Sequence, residues 1–229
     1  AAIVCAEPSL MALTGYSCDN GCLLVDRKNA VFFTDFRYEP EVKRLVPWMK
    51  TGDIAKILGK KPFSKILRYK RIGLEFSMSH SMFLSFAKSF PGAEFSDVSP
   101  LLAMIRSVKN KNEIDVIKKA AALTDKIWSY AKKSFKPGMT EKEFARKIKV
   151  AMISRGYDEA FSTIVACGKN AAECHHIPDD TVMNERDNIL VDMGVKWCGY
   201  CSDMTRNIVS SKPSRKYKEI YNRVLEASM

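Results

Sequence analysis

Two helix-start signals govern the second half of this chain. Asn110 with Glu113, and Thr140 with Glu143, each place a side-chain acceptor three residues ahead of a carboxylate. At that spacing the two groups can satisfy backbone N–H groups of a helix's first turn. Behind the first box, Ile114, Ile117, Ala121, Thr124, Trp128 and Ala131 recur at helical spacing, and Pro137-Gly138 ends the segment. Behind the second, Phe144, Ile148 and Met152 do the same, and Gly156 is placed to close the helix. Strand-like runs follow at residues 161–166, 188–194 and 199–209, and a last helix is expected from near Ser214. A helix pair followed by consecutive strands predicts an α+β unit, its aromatic and methionine stripes serving as core.

The first hundred residues read differently, as a small mixed α/β unit. Apolar strands at Gly21–Val25 and Ala30–Thr34 flank the polar turn Asp26-Arg27-Lys28-Asn29, a hairpin pattern. Residues 37–49, 54–58 and 79–89 read as helical, residues 71–75 as a strand, and Pro91-Gly92 as a stop. Polar residues Lys109, Asn110, Lys111 and Asn112 form a hinge, so the expected domains are residues 1–105 and 106–229.

Composition narrows the partners. At 229 residues, 46% hydrophobic and 28% charged, the chain can bury a core and is not of disordered type. No apolar run approaches the ~20 residues of a membrane span, and the start has no basic segment ahead of an apolar one. The expectation is therefore a cytoplasmic protein with no membrane partner. The net charge of +11 raises nucleic acid as a partner, with its densest basic stretch at residues 55–71 (Lys56, Lys60, Lys61, Lys65, Arg68, Lys70 and Arg71). That stretch lacks interleaved aromatic platforms, so a solvated face is the preferred reading and nucleic acid is not expected. Seven scattered cysteines suit a reducing compartment better than a disulfide framework. Cys198 and Cys201 form one C-x-x-C, half of a zinc site or a redox pair, without the second half.

The chemistry concentrates between residues 168 and 206. A turn about Trp197 and Cys198 would set Asp192 directly across a strand pair from Asp203, with Cβ atoms ~5 Å apart. Two carboxylates that close need a proton or a cation between them. Arg206, a divalent metal, or a plain hydrogen-bonded pair would each serve, and hard cations favour carboxylate oxygens. Upstream, a Gly- and Ala-rich loop ends in His175 and His176, two of the protein's three histidines. Neighbours on an extended chain point opposite ways, so at most one is expected to face the aspartates.

These motifs resemble a known family. His175 preceded by Gly168-x-Asn170-Ala171, then Val191-Asp192-Met193-Gly194, then Gly199-Tyr200-Cys201-Ser202-Asp203-x-Thr205-Arg206, is similar to the pita-bread metallopeptidases of the Xaa-Pro dipeptidase (prolidase) and aminopeptidase P family. Leu13-Thr14-Gly15-Tyr16 and Thr34-Asp35-Phe36-Arg37-Tyr38 resemble the creatinase-like N-terminal domain of those enzymes, and Pro137-Gly138-Met139-Thr140-Glu141 the turn before the second catalytic helix. The resemblance implies a creatinase-like domain over 1–105 and the first half of a pita-bread catalytic domain over 106–229. It implies two divalent ions (manganese, cobalt or zinc) on five side chains, with Asp192 and Asp203 as two of them, and His175 as the catalytic contact to substrate. His176 matches no functional position. The implied substrate is a peptide with proline in second position, and relatives are commonly homodimers. Creatinase itself is disfavoured because both aspartates are kept, and methionyl aminopeptidases because they lack the first domain. A non-catalytic pita-bread binding module, chaperone or nucleic-acid-associated, is the alternative.

The resemblance also has gaps. The family's metal-binding histidine and two glutamates lie beyond Met229, and the start lacks the helix usual before the strand leading to Leu13-Thr14-Gly15-Tyr16. Both ends look cut, and the 229 residues alone are expected to be inactive and to hold metal weakly or not at all.

Overall fold

The computed structural model describes residues 1–58, 69–209 and 212–229. The chain divides into two compact units, Ala1–Lys109 and Asn110–Met229. Most of the basic stretch, residues 59–68, lies outside the described residues. No described helix is long and apolar enough to cross a membrane.

The first unit contains β1 (Ala2–Val4), α1 (Glu7–Thr14), β2 (Gly21–Val25), β3 (Ala30–Thr34), α2 (Glu39–Leu45), β4 (Lys50–Asp53), β5 (Arg71–Leu74), α3 (His80–Ser89), β6 (Glu94–Asp97) and α4 (Ser99–Ser107). Its mixed sheet runs β4-β3-β2-β1-β5-β6. The β2–β3 hairpin forms as expected, Gly21 opposite Thr34 through Val25 opposite Ala30, and its turn is tied by Asp26 Oδ1, which accepts from the amides of Lys28 and Asn29. Strand periodicity splits neighbouring residues between two cores. Ile3, Leu24 and Phe33 pack on one face with Phe86 of α3. Val4, Leu23 and Phe32 pack on the other with Leu10, Val42 and Leu102 of α1, α2 and α4. Both faces are covered, which is why β2 reads as an unbroken apolar run.

Several elements depart from the sequence reading. The helix expected over 37–49 is confined to α2, since Pro47 cannot continue it. The polar residues that follow instead form β4, a parallel edge strand beside β3. The helix expected over 54–58 is a short 3-10 turn at Ile54–Lys56. At the start, strand β1 is present ahead of the Leu-Thr-Gly-Tyr motif as expected, but it reaches the motif through α1, which Leu13 and Thr14 close. That helix has no side-chain cap of its own. Glu75, buried just after β5, supplies one from a distance, its carboxylate accepting from the amides of Cys5 and Ala6 and from Ser9 Oγ.

The second unit opens with α5 (Lys111–Ser134) and α6 (Glu141–Ile153), and both capping boxes are complete. Then come β7 (Asp158–Glu159), β8 (Ile164–Cys167), β9 (Ile189–Met193), β10 (Val195–Trp197), β11 (Tyr200–Cys201), β12 (Met204–Ile208) and α7 (Arg215–Ser228). The buried face of α5 is Ala120, Leu123, Thr124, Ile127 and Ala131. Of the stripe expected from Ile114 to Ala131, Thr124 and Ala131 are fully buried and Trp128 packs half-buried against the core, while Leu123 and Ile127 take the central positions and Ile114 and Ala121 are exposed. Phe144, Ile148 and Met152 of α6 are buried as expected, against Val165, Val191 and Met193 of the strands. Helix α7 is capped by Ser214 and buries none of its residues.

The strands form two antiparallel three-stranded sheets, β12-β9-β8 and β11-β10-β7. The strand expected over 199–209 is broken at Ser202-Asp203 into β11 and β12, and the 188–194 strand bends at Gly194 into β10. A methyl group at Gly194 would lie 2.0 Å from the Ser202 carbonyl oxygen, so only glycine permits this close crossing of the two arms.

Candidate metal centre and its supporting residues

Asp192 occupies the middle strand of its sheet, between Ile164 of β8 and Thr205 of β12. Its strand neighbours Val191 and Met193 are buried in the core, so the period of two turns Asp192 to the opposite face. There it borders a cavity of about 520 Å³ whose lining includes Asp203, His175, Cys174, Phe161 and Thr163. Two acids from the strands and the neighbouring pair His175 and His176 from the loop before them are thus gathered on one hollow.

The pairing differs in register from the sequence reading. Asp192 faces Thr205, not Asp203, and β10 and β11 pair Trp197 with Tyr200. The turn is centred on Cys198-Gly199, both with positive φ (47° and 81°), which is the two-residue hairpin turn whose twist matches the strands. Placing the turn one residue earlier moves every cross-strand partner by two. Parity is preserved by such a shift, so both aspartates still reach one cavity, as diagonal neighbours.

Each aspartate has support that sequence reasoning missed. Thr205 Oγ1 donates a 2.9 Å hydrogen bond to Asp192 Oδ1. The break before Asp203 is pinned by the buried Ser202 hydroxyl, 2.6 Å from Thr124 Oγ1 of α5 and accepting from the Val195 amide. The Ser202 amide donates to the Val195 carbonyl. Arg206, the alternative compensator, donates instead to the Thr205 carbonyl.

The loop bearing His175 is organised by a buried carboxylate. Glu141, at the first turn of α6 and without exposed surface, accepts from the Cys167 amide, Asn170 Nδ2 and the Asp179 amide. His176 Nε2 lies 2.7 Å from Glu141 Oε2, while its Nδ1 lies 3.0 Å from Glu173. His176 is buried and His175 exposed, yet both border the cavity; the chain turns at Cys174-His175, so the alternation expected of extended neighbours does not divide the two histidines between faces. Hydrogen bonding to Glu173, and then to Glu141, raises the His176 pKa against the opposing effect of burial. Hydrogen bonds from Thr181 lower that of Asp179. A locally readable hint existed, since Gly168-x-Asn170 sits at fixed distance before the histidines, but Glu141 as its partner was not visible.

Glu141, His176 and Asp179 also bring three ligand-capable atoms within 4.8 Å of one another. The Glu141 oxygens are already taken by four donors, so this cluster reads as a structural hub. Cys198 and Cys201 are exposed at the hairpin tip and join no metal-capable trio among the described residues.

Comparison with known proteins agrees with this layout. The creatinase/prolidase N-terminal domain signature matches residues 1–108, and that of metallopeptidase family M24 matches residues 115–229. The chain is similar to an Xaa-Pro dipeptidase of Pyrococcus furiosus, 32% identical over 213 residues, which cover 90% of this chain and 59% of that protein. Among solved structures it resembles an Xaa-Pro dipeptidase from Bacillus anthracis (TM-score 0.90, 30% identity, 99% of this chain and 64% of that one). It also resembles an X-Pro aminopeptidase from Thermotoga maritima (TM-score 0.86, 28% identity, 98% and 67%). The chain spans 65% of a Bacillus subtilis peptidase relative's length. The two units thus correspond to a creatinase/prolidase-type N-terminal domain followed by an M24 domain. The chain belongs to metallopeptidase family M24.

Proposed function

We propose that this chain is part of a dinuclear-metal-dependent Xaa-Pro peptidase, cleaving the bond before a proline in second position of a peptide. Its first unit would be the creatinase-like domain and its second the start of the catalytic domain. The observation that supports this most is that Asp192, Asp203 and His175 border one cavity. Carboxylates suit hard divalent cations, and the two aspartates are the residues here that would hold them. When bound, such ions polarise the scissile carbonyl and acidify the attacking water. His175, exposed beside the aspartates, would donate a hydrogen bond to the oxygen that gains charge as the carbonyl is attacked. Thr205 would hold Asp192 in one orientation, and the Glu141 hub would fix the loop from which His175 projects.

The resemblance requires a histidine and two glutamates besides the aspartates. The 229 residues by themselves are accordingly proposed to be inactive and to hold metal weakly. A cytoplasmic location belongs to the same proposal, supported by seven free thiols, and a homodimer belongs to it only through the family resemblance.

The test uses the full-length protein with manganese, a dipeptide ending in proline, and a longer peptide with proline second. Hydrolysis of one and its loss in Asp203→Asn is the expected result. Cleavage of neither, with partner binding unchanged by Asp203→Asn, would favour a non-catalytic module. The relative rates on the two peptides separate dipeptidase from aminopeptidase.

A further inference from the structure

The first unit contains a pair of thiols that the proposed peptidase chemistry does not use. Strands β1 and β2 pair Ile3 with Leu24 and Val4 with Leu23. One step further along the same register sets Cys5 opposite Cys22. Their sulfurs are 2.9 Å apart, across seventeen residues of chain. Cys22 is fully buried in the core, and Cys5 is half-buried at the end of β1. The Cys5 amide donates to Glu75 and so gives nothing to β2. That is the behaviour of a non-hydrogen-bonded cross-strand pair, the type whose Cα atoms approach to about 4.5 Å. A disulfide accepts Cα separations of about 4.4–6.8 Å. The sulfurs need to close by only about 0.9 Å to reach the bonded distance of about 2.05 Å.

We propose that Cys5 and Cys22 form a reversible redox site, oxidised by peroxide to a cross-strand disulfide that ties β1 to β2. The steps balance as follows. The more accessible Cys5, as thiolate, attacks one peroxide oxygen; an S–O bond forms, the O–O bond breaks and hydroxide leaves, giving a sulfenic acid. The Cys22 sulfur then attacks the Cys5 sulfur, the S–O bond breaks, and the departing oxygen leaves as water with the Cys22 proton. Two thiols and one peroxide become one disulfide and two waters, and a dithiol reductant reverses the change. Contact with the Cys22 thiol, and then burial, holds the Cys5 thiol protonated, so the first step is slow at neutral pH. The other five cysteines are poorly placed to compete for Cys22, which is enclosed in one core of the first unit: Cys18 packs against that unit's other core, Cys167 is buried in the core of the second unit, and Cys174, Cys198 and Cys201 are exposed.

The site is tested on this chain with Cys174, Cys198 and Cys201 replaced by serine, which removes the exposed thiols. The reduced protein is treated with excess hydrogen peroxide, unfolded, alkylated with N-ethylmaleimide and digested. The expected result is a peptide pair linked through Cys5 and Cys22, lighter by two hydrogen atoms than the separate peptides and released by dithiothreitol. Two alkylatable thiols are lost, and the melting temperature rises because the unfolded chain is constrained. Adding Cys5→Ser should abolish the linked pair and leave Cys22 alkylatable. Full alkylation of both residues after peroxide, or accumulation of Cys5 sulfinic acid beside an intact Cys22 thiol, would overturn the proposal.

Discussion

Thr205 lies directly across the strand pair from Asp192 and donates a 2.9 Å hydrogen bond to its carboxylate. The bond restrains the carboxylate of a residue that also lines the cavity. Residues that orient a metal ligand in this way typically contribute about 10–100-fold to metal affinity. In the full-length protein, Thr205→Val should weaken manganese binding by roughly that factor, with Thr205→Ser restoring most of it. A calorimetric titration in which Thr205→Val binds as tightly as the parent would remove Thr205 from the site.

The His176 contacts carry a pH signature. Because Glu173 and Glu141 raise its pKa, the folded chain binds this proton more tightly than the unfolded one. The stabilisation is complete below the ordinary histidine value of about 6.5 and is lost as pH rises through the raised folded value. Urea unfolding should therefore show the second unit weakening as pH rises above the ordinary histidine value of about 6.5, and His176→Gln should flatten that slope. An unchanged slope in His176→Gln would show that this histidine does not carry the effect.

Much of this architecture could be read before the structure was known, where the signal is local. The β2–β3 hairpin and both capping boxes depend on residues within a few positions of one another, and they form as expected. The carboxylates that organise the fold act across distance: Glu75 serves Cys5, Ala6 and Ser9, and Glu141 serves Cys167, Asn170 and His176. No local pattern announces such partners. The register around Asp192 failed for a different reason. Cys198 adopts a left-handed backbone that side chains usually avoid, so nothing local marks Cys198-Gly199 as the turn. For α5, periodicity gave the helix but not which of two adjacent apolar stripes would be buried.

Gly194 should tolerate no side chain. An alanine methyl would meet the Ser202 carbonyl oxygen at 2.0 Å, and neither arm can retreat without disturbing the Ser202–Thr124 contact. Gly194→Ala should cost about 1–3 kcal/mol or more, by analogy with overpacked cores. Chemical denaturation checks this, and a loss well below that range would show that the arms are free to separate.

Glu75 should prove a stability residue of the first unit. Removing its carboxylate in Glu75→Ala leaves the Cys5 and Ala6 amides and the Ser9 hydroxyl without their acceptor. The expected loss is about 1–3 kcal/mol, the usual consequence of leaving buried donors unsatisfied. Amide exchange should show it as faster opening of α1, and unaltered exchange there would contradict the capping role.

The central claim is that the two aspartates and His175 form one cation-binding hollow. It is tested most directly by adding manganese to this chain, labelled for NMR, and following paramagnetic broadening residue by residue. Even weak binding should first erase signals from residues 175, 192, 203 and 205. Broadening centred instead on Glu141, His176 and Asp179, or spread evenly over the acidic surface, would contradict the account.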